Sequence, residues 1–308
     1  MSWLLAIPRF LERHFVLIAI VLTGIALWQP FLFTWIKPHI PLALGIIMFG
    51  MGLTLDFEDF RKIFRSWRLV GLGMALQFTV MPVLAVLLAH VFGLPAEAVI
   101  GMVVIGACPG GTASNVIAYL ARANVPLSVT MTLASTALAP LLTPSIIYFI
   151  LEKQVAIDFG GMVTSVFWIV IFPLVDGLIF RRLFRKRLEP VLPLLPSVSI
   201  TVIALLIACI IGLNQKTLLA FPVLIFCAVA LHNCLGLAIG YGAGRVFGCS
   251  ERDSRTLAIE VGMQNSGLGV ALAAKYFGAA SALPGALFSL WHNVFGVSLA
   301  GLWRKLDN

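Results

Sequence analysis

Glu260 stands in the run AIEVGMQNSGLG at 258–269, just ahead of Gln264, Asn265 and Ser266 and among Gly262, Gly267 and Gly269. A carboxylate beside amide and hydroxyl oxygens suits a hard cation, and Na+ is the one expected. The segment is otherwise apolar, and a buried charge in an apolar setting is costly enough to imply a function. A second stretch, GACPGGTASNV at 106–116, has the same character. Pro109 removes a backbone donor and Gly110 and Gly111 relax the chain, so a helix through this stretch breaks. The break exposes carbonyls at the end of one half-helix, which attract cations. It also exposes N–H groups at the start of the next, around Thr112 to Asn115, which attract anions. Two interrupted apolar segments at corresponding places in two halves mark a transporter's binding site. Ser128 and Thr132 add two hydroxyls on one helix face, four residues apart. Gln77 adds an amide in an apolar setting.

These residues must be positioned by helices in lipid. Of 308 residues, 60% are hydrophobic and only 11% charged, and the mean hydropathy is +1.03. A soluble domain of that composition would have almost no surface to offer water. Apolar runs of helical length recur without the alternation of a β-barrel, so the fold class is an all-α integral membrane protein. The first apolar run, Phe15 to Ile36, is too long for a signal-peptide core and is expected to stay as a span. The five cysteines have no paired or metal-type spacing. The net charge of +8 points to cytoplasmic loops beside anionic membrane lipid and not to nucleic acid. Nothing points to an obligatory protein partner.

Ten spans are expected, at roughly 15–36, 40–55, 69–93, 96–121, 126–151, 161–180, 198–213, 219–244, 255–277 and 281–303. With ten, one side holds Lys37, Lys153, Lys216 and Lys275, and the other holds the remaining seventeen Lys and Arg. That asymmetry places both termini in the cytoplasm, and the absence of an N-x-Ser/Thr sequon is compatible with a bacterial inner membrane. Ten spans split into two sets of five. Five is odd, so the second set enters from the opposite side, giving an inverted repeat. Residues 1–155 would form the first repeat and 156–308 the second, each running long, short, long, interrupted and final span.

The motifs GACPGGTASNV at 106–116 and AIEVGMQNSGLG at 258–269, with WHN at 291–293, resemble those of the bile acid:sodium symporter family along essentially the whole chain. The resemblance implies that spans three to five and eight to ten form a core domain. Spans one, two, six and seven would form a panel, and the two discontinuous helices would cross near the midplane. It implies two Na+ sites. One would use Ser114, Asn115, Ser128, Thr132 and Glu260. The other would use Gln77, Glu260, Gln264 and the carbonyls of Val261 and Met263. An organic anion, bile acid-like or a small carboxylate, would bind near Thr112 and Asn265, with His292 and Asn293 lining the cavity between panel and core.

The alternative is a Na+/H+ antiporter of similar inverted-repeat fold, but the paired aspartates typical of such proteins are absent from the interrupted segments. An enzyme is not expected, because neither HExxH, paired aspartates nor an Asp-rich metal motif is present. A channel would share polar broken helices and is set apart by stoichiometric Na+ coupling. Asp176 either pairs with Arg181 and Arg182 or lines the inner mouth of the cavity. His232 and Asn233 are expected to hydrogen-bond between helices.

Overall fold

A computed structural model describes residues 6–216 and 222–307. Its ordered elements are helices, numbered α1 to α13. They are α1 (Ala6–Trp28), α2 (Ile40–Thr54), α3 (Phe57–Arg65), α4 (Trp67–Val91), α5 (Ala96–Gly106), α6 (Ala113–Leu120) and α7 (Val125–Leu151). After these come α8 (Phe159–Leu188), α9 (Leu195–Leu213), α10 (Pro222–Val246), α11 (Glu251–Gly262), α12 (Ser266–Tyr276) and α13 (Ala279–Leu306).

Among the described residues, seven helical runs are long and apolar enough to cross a membrane. Those runs cover α2, α4, α7, α8, α9, α10 and α13. The other three expected spans are of a different kind. The segments at 96–121 and 255–277 are each two short helices, α5 with α6 and α11 with α12. The first span was expected at 15–36, yet α1 ends at Trp28. Pro30 follows and begins the turn Phe31–Thr34, which leads through a 3-10 turn at Lys37–His39 into α2. Proline tolerates such a first-turn position because its missing N–H would have had no helical partner there. The start of the span placed at 219–244 lies outside the described residues.

Packing follows the polarity of each helix. α1 lies along α9, and α2 contacts α8 and α9. α5 is sheathed by α4, α12 and α13, and Met102, Val103, Val104 and Ile105 are fully buried there. α10 lies along α11 with no side chain at three of its contacts, Gly236, Gly240 and Gly244. A Cβ at Gly240 would stand 2.7 Å from Leu257 O, and one at Gly244 2.8 Å from the Cα of Ser254. Small residues at this spacing let two backbones approach where lipid offers no hydrophobic drive to associate. Inside α4, Leu76–Val80 is a π-turn, and Gln77 sits in it. Such turns interrupt the regular ladder and often mark functional positions.

At the end of the molecule where α11 begins, Arg255 is buried. It donates two 2.7 Å bonds to the carboxylate of Asp307, one of 3.0 Å to Glu251 and one of 3.2 Å to Ala121 O. Its guanidinium lies 5.6 Å from the ring centre of Trp303. This one side chain ties the ends of α6 and α13 to the start of α11. Asp176, by contrast, is exposed on α8, and no ion pair reaches it among the described residues.

Candidate functional site

Both interrupted segments break where the chemistry-bearing residues lie, and the two breaks bond to each other. Gly111 N donates to Met263 O at 2.9 Å, and Asn265 N donates to Pro109 O at 2.7 Å. These pair Gly110 with Gln264 as an isolated antiparallel bridge. The approach is close enough that a Cβ at Gly111 would fall 2.6 Å from Gln264 O.

At the first break the freed carbonyls of α5 find partners on other helices. Ala107 O accepts from Thr143 Oγ1 at 2.8 Å, and Cys108 O accepts from Gln77 Nε2 at 2.8 Å. Gly110 N donates to Ser135 Oγ at 3.2 Å. Buried backbone polar groups must be satisfied this way in a low-dielectric interior. The second break has no proline and does not owe its form to glycine. Met263 is extended, and Asn265 caps the new helix, its Oδ1 accepting from Leu268 N at 3.1 Å. The N–H of Asn265, which in a continuous helix would reach Val261 O, goes instead to Pro109 O. Val261 O is thereby released from the helical ladder.

Glu260, only 3% exposed, points from α11 at α7. Ser128 Oγ donates to its Oε1 at 2.5 Å and Thr132 Oγ1 to its Oε2 at 2.8 Å. The same hydroxyls face Asn115 Oδ1 at 2.9 and 3.5 Å. Ser114 Oγ lies 3.3 Å from Thr132 Oγ1 and donates to Gly111 O at 2.6 Å. Five predicted residues from three helices thus converge: Ser114 and Asn115 of α6, Ser128 and Thr132 of α7, and Glu260 of α11.

Each hydroxyl has a single proton. The protons of Ser128 and Thr132 face three acceptors, the two Glu260 oxygens and Asn115 Oδ1, so acceptor oxygen is in surplus. Among the described residues no cationic side chain pairs with Glu260, and no group of three or more His, Cys, Asp or Glu forms. A surplus of hard oxygens around an unbalanced carboxylate fits a hard cation.

Of the second predicted set, the structure joins Gln77 to Gln264. Gln77 Nε2 donates to Gln264 Oε1 as well as to Cys108 O. Gln264 Nε2 is buried without a partner. Met263 O already accepts from Gly111 N, which leaves it one lone pair.

A cavity of about 370 Å³ lies between α2 and α9 on one side and α6 and α13 on the other. Met51, Thr54, Thr112, Asn115, Ser199 and Asn293 are among its lining residues. Thr112 is the N-cap of α6, and the cavity is lined along that helix from Thr112 to Leu120. Asn115 belongs both to this lining and to the oxygen cluster at Glu260. His292, expected to line the cavity, does not. It is buried with its ring edge-on to Phe288 at 5.0 Å. Asn265 also lies outside the lining, because its side chain turns back to cap α12.

One contributor escaped the sequence reading, and so did the partner of another. Ser135 extends the Ser128–Thr132 face by one further turn, and that spacing could have revealed it. Asn233 Nδ2 donates to Gly262 O at 2.8 Å, between helices as expected for this residue, but its partner gave no signal in sequence.

Residues 41–221 match the family model described as the sodium bile acid symporter family. An uncharacterized sodium-dependent transporter of Bacillus subtilis, YocS, is 41% identical over 300 residues, covering 97% of this chain and 93% of that protein. A probable chloroplastic sodium/metabolite cotransporter of Arabidopsis thaliana, BASS1, is 36% identical, covering 91% of this chain and 71% of its own length. A rice relative, BASS2, with the same description, is 35% identical, covering 97% and 72%. These relatives carry the names of transporters, not enzymes. With the family model matching more than half of its residues, the chain belongs to the sodium bile acid symporter family.

Proposed function

We propose that the chain is a secondary active transporter that couples inward Na+ flow to uptake of an organic anion. The observation that carries this reading is Glu260, a buried carboxylate without a cationic partner among the described residues, set among surplus oxygens where two broken helices meet. One Na+ would lie among Ser114, Asn115, Ser128, Thr132 and Glu260. A second would lie among Gln77, Glu260, Gln264 and the carbonyls of Val261 and Met263. Two monovalent cations against one carboxylate leave a positive charge, which the N-terminal end of α6 strengthens. An organic anion, bile acid-like or a smaller carboxylate, would balance it in the cavity lined by Thr112 and Asn293. Asn115 touches both regions, so cation binding and anion binding favour the same arrangement and raise each other's affinity.

The architecture that serves this reading is ten spans in two inverted five-helix repeats, 1–155 and 156–308. The panel comprises α1, α2, α8 and α9, and the core the remaining spans. The cavity lies between them, as alternating access by rocking of core against panel requires. The distribution of Lys and Arg supports both termini on the cytoplasmic side of a bacterial inner membrane. The relatives' names, sodium-dependent transporter and sodium/metabolite cotransporter, favour symport over Na+/H+ antiport.

The test is uptake into proteoliposomes of labelled taurocholate and small hydroxy acids, with and without an inward Na+ gradient. Accumulation is expected only with the gradient, and Glu260→Ala is expected to abolish it. Uptake indifferent to Na+, or unchanged by losing Glu260, would refute Na+ coupling at this place.

A further inference from the structure

Asn233 is fully buried on α10. Its Nδ2 donates to the carbonyl of Gly262, the last residue of α11, and its Oδ1 has no hydrogen-bond partner. In an unbroken helix Gly262 O would accept from Ser266 N, but here that N–H goes to Gln264 O. The break therefore releases two adjacent carbonyls, Val261 O and Gly262 O. Asn233 engages Gly262 O and not its neighbour Val261 O. A buried amide oxygen without a partner is unfavourable, but the Nδ2 bond satisfies the freed Gly262 O, which an apolar residue would leave buried and unpaired.

The support behind Asn233 is stiff. Gly236, Gly240 and Gly244 continue its face of α10 at helical spacing, and each brings the α10 backbone against α11 or its end. Gly262 itself fits against Leu237, where a Cβ would stand 2.8 Å from the Leu237 backbone nitrogen. The amide of Asn233 is thus held at a fixed height beside the broken end, and the peptide it grips lies between the two carbonyls assigned to the second cation.

We propose that Asn233 is a positioning residue for that second Na+. By holding Gly262 O, it orients the 261–263 backbone so that Val261 O and Met263 O are presented together, and it sets the affinity for Na+ without touching ion or anion. The proposal rests on the Na+-coupled reading given above.

The test measures 22Na+ binding by the purified full chain, and its melting temperature in NaCl and in choline chloride, which offers the same ionic strength without a cation that fits. The variants are Asn233→Leu, close in size but without a donor, and Asn233→Ser, which keeps a shorter donor, with Glu260→Ala as reference. Bound Na+ stabilises the unchanged chain over choline by an amount that grows with the logarithm of one plus the Na+ concentration over its dissociation constant. Supporting groups behind a metal ligand typically govern affinity by about 10–100-fold. Asn233→Leu is expected to raise half-saturating Na+ by about 10-fold or more and to shrink the NaCl-dependent rise in melting temperature. Asn233→Ser is expected to fall between it and the unchanged chain. If Asn233→Leu does not fold, the Asn233→Ser shift alone decides. Half-saturation unchanged in the Asn233 variants, with binding lost in Glu260→Ala, overturns the role of Asn233 and leaves Na+ coupling standing. So does a melting temperature lowered equally in both salts with no change in half-saturation. No 22Na+ binding by the unchanged chain overturns the Na+ reading itself.

Discussion

Glu260 is held by two hydroxyls four residues apart on α7 and lies against the backbone of Gly110, with no side-chain cation to balance it among the described residues. This much could be anticipated. An acid amid amides in an apolar run, and a Ser–Thr pair at helical spacing, are visible in the sequence. What could not be anticipated is which distant group meets which. Asn233 meets Gly262 and Arg255 meets Asp307 across turns whose geometry no local pattern encodes. Arg255, five residues before Glu260 in the chain, pairs with Asp307 and Glu251. At this scale Gly111 is a sensitive position. Gly111→Ala places a Cβ 2.6 Å from Gln264 O, and backbone cannot move aside as a flexible side chain can. Overpacking of this kind costs about 1–3 kcal/mol. The variant is expected to melt earlier in choline chloride and to lose part of the extra stability that NaCl confers, as read by thermal unfolding of the purified protein.

Among the helices, the first break was legible because proline and paired glycines write it into the chain. The second was legible in place but not in cause. Its glycines pack closely against Leu237 and Leu44, while the break itself comes from the Asn265 cap and from bonds to the other break. The early end of α1 was missed because the apolar run continues past Pro30, and hydropathy cannot see a chain change direction within lipid. The α10–α11 pair carries a prediction of its own. Gly240→Leu puts a side chain where Leu257 O stands 2.7 Å from the ideal Cβ position. It is expected to destabilise the protein by about 1–3 kcal/mol or more and to weaken Na+ binding, because α11 carries Glu260. Gly242→Leu, on the same helix with open space beside it, is expected to leave both melting temperature and 22Na+ binding near those of the unchanged chain.

For the molecule as a whole, Arg255 and Asp307 fasten the last helix to the half-helix that bears Glu260. The hydrogen bonds from Arg255 hold the Asp307 carboxyl below its ordinary value. A carboxyl whose folded value is depressed adds stability that is fully present above its unfolded value, about 4. That stability is lost as pH falls through the lower folded value. Asp307 is a partly exposed partner, so salt screens the pair and its contribution is modest. Melting temperatures recorded from pH 7 down to pH 3 should be insensitive to this pair at the upper end and fall in acid. Asp307→Asn is expected to lower the plateau and flatten that acid limb, whereas a profile identical to that of the unchanged chain would deny the clasp any part in stability. Whole-chain composition made a membrane protein evident from the outset, and parity with the Lys and Arg distribution suggested how the halves are arranged.

The bridge between Gly110 and Gln264 is built from peptide groups alone. Every residue supplies those groups whatever its side chain, apart from the donor that proline lacks, so the two bonds of the bridge do not run through the side chains that surround Glu260. Frame and lining are therefore separable. Exchanges at Ser114, Asn115, Ser128 or Thr132 are expected to change that lining and to leave the joint between the two breaks in place. A protein arranged this way can acquire a new diet by small edits and never pass through an unfolded ancestor.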